Sequence, residues 1–162
     1  MRIAALDIGG TSIKSGIWTG GLTEEVREEP TQAKQGGEAV MEKAKKILHG
    51  YGSFDAIGIS TAGQVNSVEG FIRYANENIP GYTGTKVCEI MEQEFKVPVA
   101  VENDVNAAAV GEGRFGAAKG MDDFLCITYG TGVGGAIVLG KELYFCRGIW
   151  RTFGSSRSTD GK

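Results

Sequence analysis

Apolar positions fall in short runs along this chain, and nearly every run is closed by glycine. Residues 2–8 (RIAALDI) and 12–18 (SIKSGIW) are mostly apolar, with Gly9-Gly10-Thr11 between them, the pattern of a β-hairpin. Gly20-Gly21 turns the chain into residues 22–29, a polar stretch expected to be an edge strand. From Gly36 to His49 the period changes. Val40, Ala44, Ile47 and Leu48 fall at i, i+4, i+7 and i+8, the core-facing stripe of a helix. Lys43, Lys45, Lys46 and His49 gather toward its C-terminal end, where cations suit the helix dipole. Residues 54–60 are nearly all apolar, as in a buried parallel strand, and Thr61-Ala62-Gly63 ends them. Residues 64–81, rich in Asn and Gly, predict a loop with a small hairpin. Thr83 or Thr85 is placed to cap a second helix to about Phe95, with Val87, Ile90, Met91 and Phe95 inward. Residues 97–101 predict another buried strand. Residues 103 to about 113 predict a third helix, with Ala107, Ala108 and Ala109 as strong helix formers. After a Gly/Ala/Lys/Asp stretch at 115–123, residues 124–128 and 136–139 repeat the opening strand–glycine–strand pattern.

The predicted order is βββαβαβα followed by ββ. Strands alternating with helices imply an α/β fold with a mixed sheet, its first strands antiparallel and its later ones parallel. The restart at Phe124 predicts the opening of a second copy of the same domain, cut off after roughly three strands. The expected organisation is a first domain over 1–118, the opening hairpin of a second over 119–149, and a polar tail over 150–162.

Composition narrows the function. The chain has 162 residues, a net charge of −3 and a pI near 5.3, so no basic footprint for nucleic acid or an anionic membrane is expected. The 26 glycines are more than twice the usual share of roughly 7% and sit at turns without a repeat period. Cys88, Cys126 and Cys146 form no C-x-x-C pair, which argues against a disulfide framework or a structural zinc site and for free thiols. No apolar run reaches about 18 residues, and the N-terminus enters a strand directly, with no signal-peptide pattern, so a cytoplasmic protein is expected.

The candidate chemistry lies in the two glycine tips, Asp7-Ile8-Gly9-Gly10-Thr11 and Tyr129-Gly130-Thr131-Gly132-Val133-Gly134-Gly135. Gly and Thr at a hairpin tip let backbone N–H groups approach an anion, and two such tips can hold one polyphosphate from both sides. Gly9-Gly10 alone could be a plain hairpin turn. Asp7, ending an apolar strand beside it, is placed to hold a hydrated metal ion on the phosphates. Lys14 either reaches the same phosphates or is a solvated lysine. Residues 130–135 also match G-x-G-x-x-G. A dinucleotide fingerprint must open a helix and be followed by an acid about 20 residues on, whereas strand-like Ala136-Ile137-Val138 follows here and Ser156 stands at that distance. No Walker A sequence is present. Between the tips, Val101-Glu102-Asn103-Asp104 places a carboxylate, expected to be buried, where a strand gives way to a helix. Asp104 is either a helix N-cap or a general base that accepts a sugar hydroxyl proton as the oxygen attacks phosphorus. Asn103 would orient the sugar through its amide, Glu102 is expected to be structural, and His49 to be a surface residue. Two phosphate clamps and one carboxylate point to phosphoryl transfer to a hydroxyl group.

These motifs bear a family resemblance. DIGGTSIK at 7–14, GISTAGQV at 58–65, ANENIPGY at 75–82, VENDVNAAAVGE at 101–112 and TYGTGVGGAIV at 128–138 are similar to the N-terminal half of bacterial ROK-family sugar kinases of the glucokinase, fructokinase and N-acetylmannosamine kinase type. The resemblance covers residues 1 to about 149. It implies the actin-like ATPase (hexokinase/RNase H-like) fold, with two βββαβαβα domains closing over ATP and a hexose or N-acetylhexosamine. It implies Asp104 as catalytic base and Gly63, Asn78, Asn103 and Asp104 as sugar contacts. Asp7, Gly9, Gly10, Thr11 and Lys14, with Gly130, Thr131 and Gly132, would surround the ATP phosphates, and Asp7 would hold Mg²⁺ through phosphates or water.

The chain departs from the family pattern after the second hairpin. Thr152 stands where the family's sugar-gripping Glu is expected and Ser155 where its His is expected. The family's zinc-binding His/Cys cluster is not found, so no zinc is expected, and the tail 150–162 is unlike the family. The chain is therefore expected to be inactive alone. Residues 124–139, mostly apolar on both faces, are expected to lack covering helices and therefore to be disordered, to dock on another copy or to make the chain prone to association. The alternative reading is a sugar-sensing module of the family's transcriptional-regulator branch, disfavoured because no helix-turn-helix precedes DIGGT. The family is often dimeric, which makes a homodimer an expectation.

Overall fold

The structure, a computed structural model, describes residues 1–130 and 132–145. The chain divides into two compact units, Met1–Asp104 and the residues from Val105 on.

The first unit is built on a five-stranded sheet of order β3-β2-β1-β4-β7. Strands β1 (Arg2–Ile8), β2 (Ser12–Thr19) and β3 (Leu22–Pro30) form an antiparallel meander. Strands β4 (Ala56–Thr61) and β7 (Val99–Asn103) add to β1 in parallel. Two helices, α1 (Gly37–His49) and α2 (Val87–Phe95), and a small hairpin, β5 (Gln64–Asn66) with β6 (Phe71–Tyr74), complete it. Period-two alternation sorts the strands by face. Ala4, Leu6, Ile8, Ile13, Ile17, Ile57, Ile59 and Val101 are buried with Val40, Met41, Ala44, Ile47 and Leu48 of α1 and Val87 and Met91 of α2. The predicted stripe of α1 is thus the buried one. Strand β3 is exposed along its whole length at the sheet edge, and its run of Glu and Arg residues keeps that edge from pairing with other chains.

Several boundaries differ from the sequence expectation. Strand β7 begins at Val99 because Pro98 has no N–H for the ladder, although its carbonyl accepts the Ile57 N–H at 2.9 Å. The strand runs on to Asn103, and helix α3 (Asp104–Phe115) starts at once. Neither Thr83 nor Thr85 caps α2, which starts behind Lys86 with no side-chain cap. The Thr83 hydroxyl is committed to Ala75, accepting its N–H at 2.9 Å and donating to its carbonyl at 3.3 Å, a local bond that competes with capping. Phe54 stands outside β4 and packs its ring on Phe95, centroids 5.5 Å apart.

The second unit contains α3 from Val105 on and a three-stranded antiparallel sheet of order β10-β9-β8. Its strands are β8 (Phe124–Tyr129), β9 (Val133–Leu139) and β10 (Glu142–Leu143). One face is covered: Ala109, Ala136 and Val138 are buried, with Val105, Phe124, Cys126 and Leu143 packed around them. Gly134 permits this close approach, since a Cβ there would collide with a Val105 methyl. The expectation of uncovered strands therefore needs correction for this face, because α3 supplies the cover. The other face, with Leu125 and Ile127 each 69% and Tyr129 89% exposed, is open. Among the described residues no helix is long and apolar enough to cross a membrane.

Candidate functional site

The C-terminal ends of parallel strands β1, β4 and β7 lie side by side, the place where open α/β sheets bind ligands. Register brings the chemistry together there. Asp7 stands opposite Lys14 on one side and beside Ser60 on the other, and Ser60 stands beside Glu102. Cross-strand partners share a face, so Lys14, Asp7, Ser60 and Glu102 form one polar row across four strands. The Ser60 hydroxyl donates to Asp7 Oδ1 at 2.9 Å, which orients the exposed carboxylate.

The first glycine tip follows from the β1–β2 hairpin. Gly9 N–H donates to Ser12 O at 3.0 Å. Neither Gly9 nor Gly10 takes a positive φ, so this is not the plain Gly-Gly turn, which needs one. A Cβ at Gly10 would meet nothing within 4 Å, leaving open backbone at the tip. Buried Thr31 anchors it from behind, its hydroxyl donating to Gly9 O at 2.6 Å and its N–H to Thr11 O at 2.9 Å. Sequence reasoning missed Thr31 and Ser60. The available signal was a hydroxyl residue directly after an apolar or strand-ending segment, at Pro30-Thr31 and Ile59-Ser60.

At the end of β7 the Asn103 amide donates to Gly63 O and to Asp104 Oδ1, both at 2.8 Å. Both amide hydrogens are thereby committed to holding Asp104 and the end of β4. Glu102 accepts the Asn103 N–H at 2.8 Å. Gly63 has φ +103°, and a Cβ would lie 2.9 Å from Tyr74 O, so only glycine fits. Asp104 is the first residue of α3, where the dipole suits an anion. It is exposed, which corrects the expectation of a buried carboxylate: the strand ends one residue before it and its side chain leaves the sheet. Asn78 is exposed on the segment between β6 and α2, its N–H donating to Asn76 Oδ1 at 3.1 Å.

The second tip lies in the other unit. There Gly130 N–H donates to Gly132 O at 2.9 Å across the β8–β9 turn, and both glycines are exposed. Thr131 lies outside the described residues, as do Cys146, Thr152, Ser155 and the tail 150–162. Cys88 and Cys126 are free thiols, and burial, with Glu92 nearby, pushes the Cys88 thiol up. Among the described residues no cluster of three or more His, Cys, Asp or Glu is placed to hold a metal ion. A lone carboxylate such as Asp7 suits a hydrated magnesium ion bound mainly by phosphate oxygens.

A family model described as the ROK family matches residues 3–149. The chain belongs to the ROK family. An uncharacterised protein from Clostridium perfringens is 47% identical over 146 residues, covering 87% of this chain and 50% of that protein. A beta-glucoside kinase from Listeria monocytogenes is 34% identical over 143 residues, 88% of this chain and 48% of its own length. Among solved structures, a ROK family glucokinase from Streptomyces griseus in complex with glucose and AMPPNP aligns with TM-score 0.81 at 34% identity, over 91% of this chain and 47% of that one. The chain thus spans about half the length of these relatives. Its fold is the actin-like ATPase fold of the ROK sugar kinases, an α/β architecture on a mixed sheet.

Proposed function

We propose that this chain carries the sugar-binding and catalytic-base half of an ATP-dependent sugar kinase acting on a hexose or N-acetylhexosamine. The observation that carries the reading is the Asn103 amide, fixed on Gly63 O and Asp104 Oδ1 at 2.8 Å each, at the end of the sheet that also bears Asp7 and the open Gly9-Gly10 tip. Asp104 accepts the proton of the sugar hydroxyl. The freed oxygen attacks the γ-phosphorus, the bond between phosphorus and the bridging oxygen breaks, and ADP leaves. Asp7 would hold a magnesium ion through phosphate oxygens or water, and that ion would supply positive charge against the charge developing on the phosphoryl oxygens. Gly63, Asn78 and Asn103 position the sugar; Asp7, Gly9, Gly10, Thr11 and Lys14 attend the phosphates and metal, with Gly130, Thr131 and Gly132 from the second tip. The wider organisation belongs to the same proposal: an ATPase domain over 1–118, the opening of a second over 119–149, a cytoplasmic location and a homodimer. The kinase names of the relatives support this reading over the regulator alternative.

The test is ADP release from ATP and Mg²⁺ with a panel of hexoses and N-acetylhexosamines, run beside Asp104→Ala. Sugar-dependent release that falls about 10²–10⁴-fold in the variant supports Asp104 as base. Release that survives the substitution rejects that role. No release with any sugar, but sugar binding that Asp104→Ala weakens, is the outcome expected of this half alone; no release and no sugar binding rejects a sugar site in this polypeptide.

A further inference from the structure

Thr61 and Tyr82 are both fully buried, and their hydroxyls lie 3.1 Å apart. Thr61 closes β4 two residues before Gly63. Tyr82 closes the segment that carries Asn78. Thr61 Oγ1 also lies 3.4 Å from the carbonyls of Ile8 and Ala62, which can only accept. The geometry lets the Thr61 hydrogen reach a carbonyl while its oxygen accepts from the Tyr82 hydroxyl, and either hydroxyl can donate within the pair. Burial pushes the Tyr82 phenol up, against a smaller lowering by the Thr61 hydroxyl. The same segment is gripped from its other side. Gly37 N–H donates to Pro80 O at 2.8 Å, and a Cβ at Gly37 would lie 2.8 Å from Tyr82 Cα, so the first turn of α1 presses directly on this backbone. Ile79 is buried while its neighbour Asn78 is exposed. A phenylalanine ring would fill the same space at position 82. The hydroxyl adds something packing does not: it fixes the segment against the end of β4.

We propose that the Thr61–Tyr82 hydroxyl pair is a positioning contact of the sugar site. It sets the segment bearing Asn78 in register with the strand end bearing Gly63, whose carbonyl in turn holds Asn103. The inference rests on the sugar-kinase reading above. Thr61 also bonds Ile8 O, between Asp7 and the Gly9 tip, so the selective probe is Tyr82→Phe, which removes the hydroxyl bonded to Thr61 and is expected to lower sugar affinity while nucleotide affinity holds.

The experiment uses the full chain and the variants Tyr82→Phe, Thr61→Val and Thr61→Ser. It measures titrations with glucose, N-acetylmannosamine and Mg²⁺-ADP, thermal midpoint, and amide exchange of residues 75–85. Tyr82→Phe and Thr61→Val are expected to weaken sugar binding about tenfold, the worth of one buried hydrogen bond, while Thr61→Ser, which keeps the hydroxyl, stays within about twofold. Exchange at 75–85 rises in the first two variants, and ADP affinity holds in Tyr82→Phe and Thr61→Ser. Wild-type sugar affinity in Tyr82→Phe overturns the proposal while leaving the kinase reading intact. So does an equal loss of sugar and ADP affinity with a lowered thermal midpoint, which marks a merely structural contact. A wild-type chain that binds neither sugar overturns the kinase reading, and this inference with it.

Discussion

Two hairpins in this chain share one pattern, an apolar strand, a glycine tip and a second apolar strand, yet they are stabilised very differently. The β1–β2 hairpin sits inside a five-stranded sheet, with Leu6, Ile8, Ile13 and Ile17 buried under α1 and α2. The β8–β9 hairpin has α3 on one face, and among the described residues its buried cluster is Ala109, Ala136 and Val138. Its other face leaves Leu125, Ile127 and Tyr129 wet. Each large apolar side chain left exposed forfeits about 1.5–3 kcal/mol of burial. A phosphate-type tip therefore does not certify a rigid scaffold beneath it. The rigidity comes from the layers that cover the strands.

The sharpest way to break this contrast is a pair of truncations. Leu48→Ala, in the fully buried stripe of α1, is expected to lower the main urea transition by about 2–5 kcal/mol. Val138→Ala should leave that transition in place and appear only as faster amide exchange in β8 and β9. One common transition shifted by both would erase the distinction between the units. Limited proteolysis comes next: cleavage within residues 115–123 is expected well before any cut in β1–β4, and uniform resistance would count against a weaker second unit. A smaller effect is expected from Leu125→Lys with Ile127→Lys. Sedimentation should show less self-association than wild type with little change in thermal midpoint, because neither side chain is buried in the chain itself.

The smallest effect concerns pH. Burial raises the Cys88 thiol and the Tyr82 phenol above their ordinary values. Their unfolded counterparts lose protons from about pH 9 upward, while the folded groups keep theirs. The unfolded state then binds fewer protons, so stability falls as pH rises through that window and is fully present below it. Tyr82→Phe should flatten part of this decline in a denaturation series from pH 7 to 11. An unchanged slope would mean that Tyr82 does not govern it.

Much of the candidate site was legible because strand ends and glycines mark themselves. Asp7, Gly63, Asn103 and Asp104 all close predicted strands or open elements, and the structure sets the ends of β1, β4 and β7 side by side. The cap of α2 was not legible, since Thr83 chose Ala75 over the helix. Thr31, Ser60 and Tyr82 were silent for a similar reason: their partners lie 22, 53 and 21 residues away, and no local pattern announces a long-range hydroxyl bond.

Periodicity and turn chemistry are local properties, so the chain alone already specified its strands, its helical stripes and the glycine positions that a tip or a close approach demands. Which strands pair, and which side chains meet across them, are consequences of packing. Tertiary structure decided that α3 covers the β8–β9 sheet, that Asp104 is exposed and not buried, and that a serine orients Asp7. Those outcomes depend on contacts between residues far apart in sequence, where burial and hydrogen-bond geometry, and not local preference, select the arrangement.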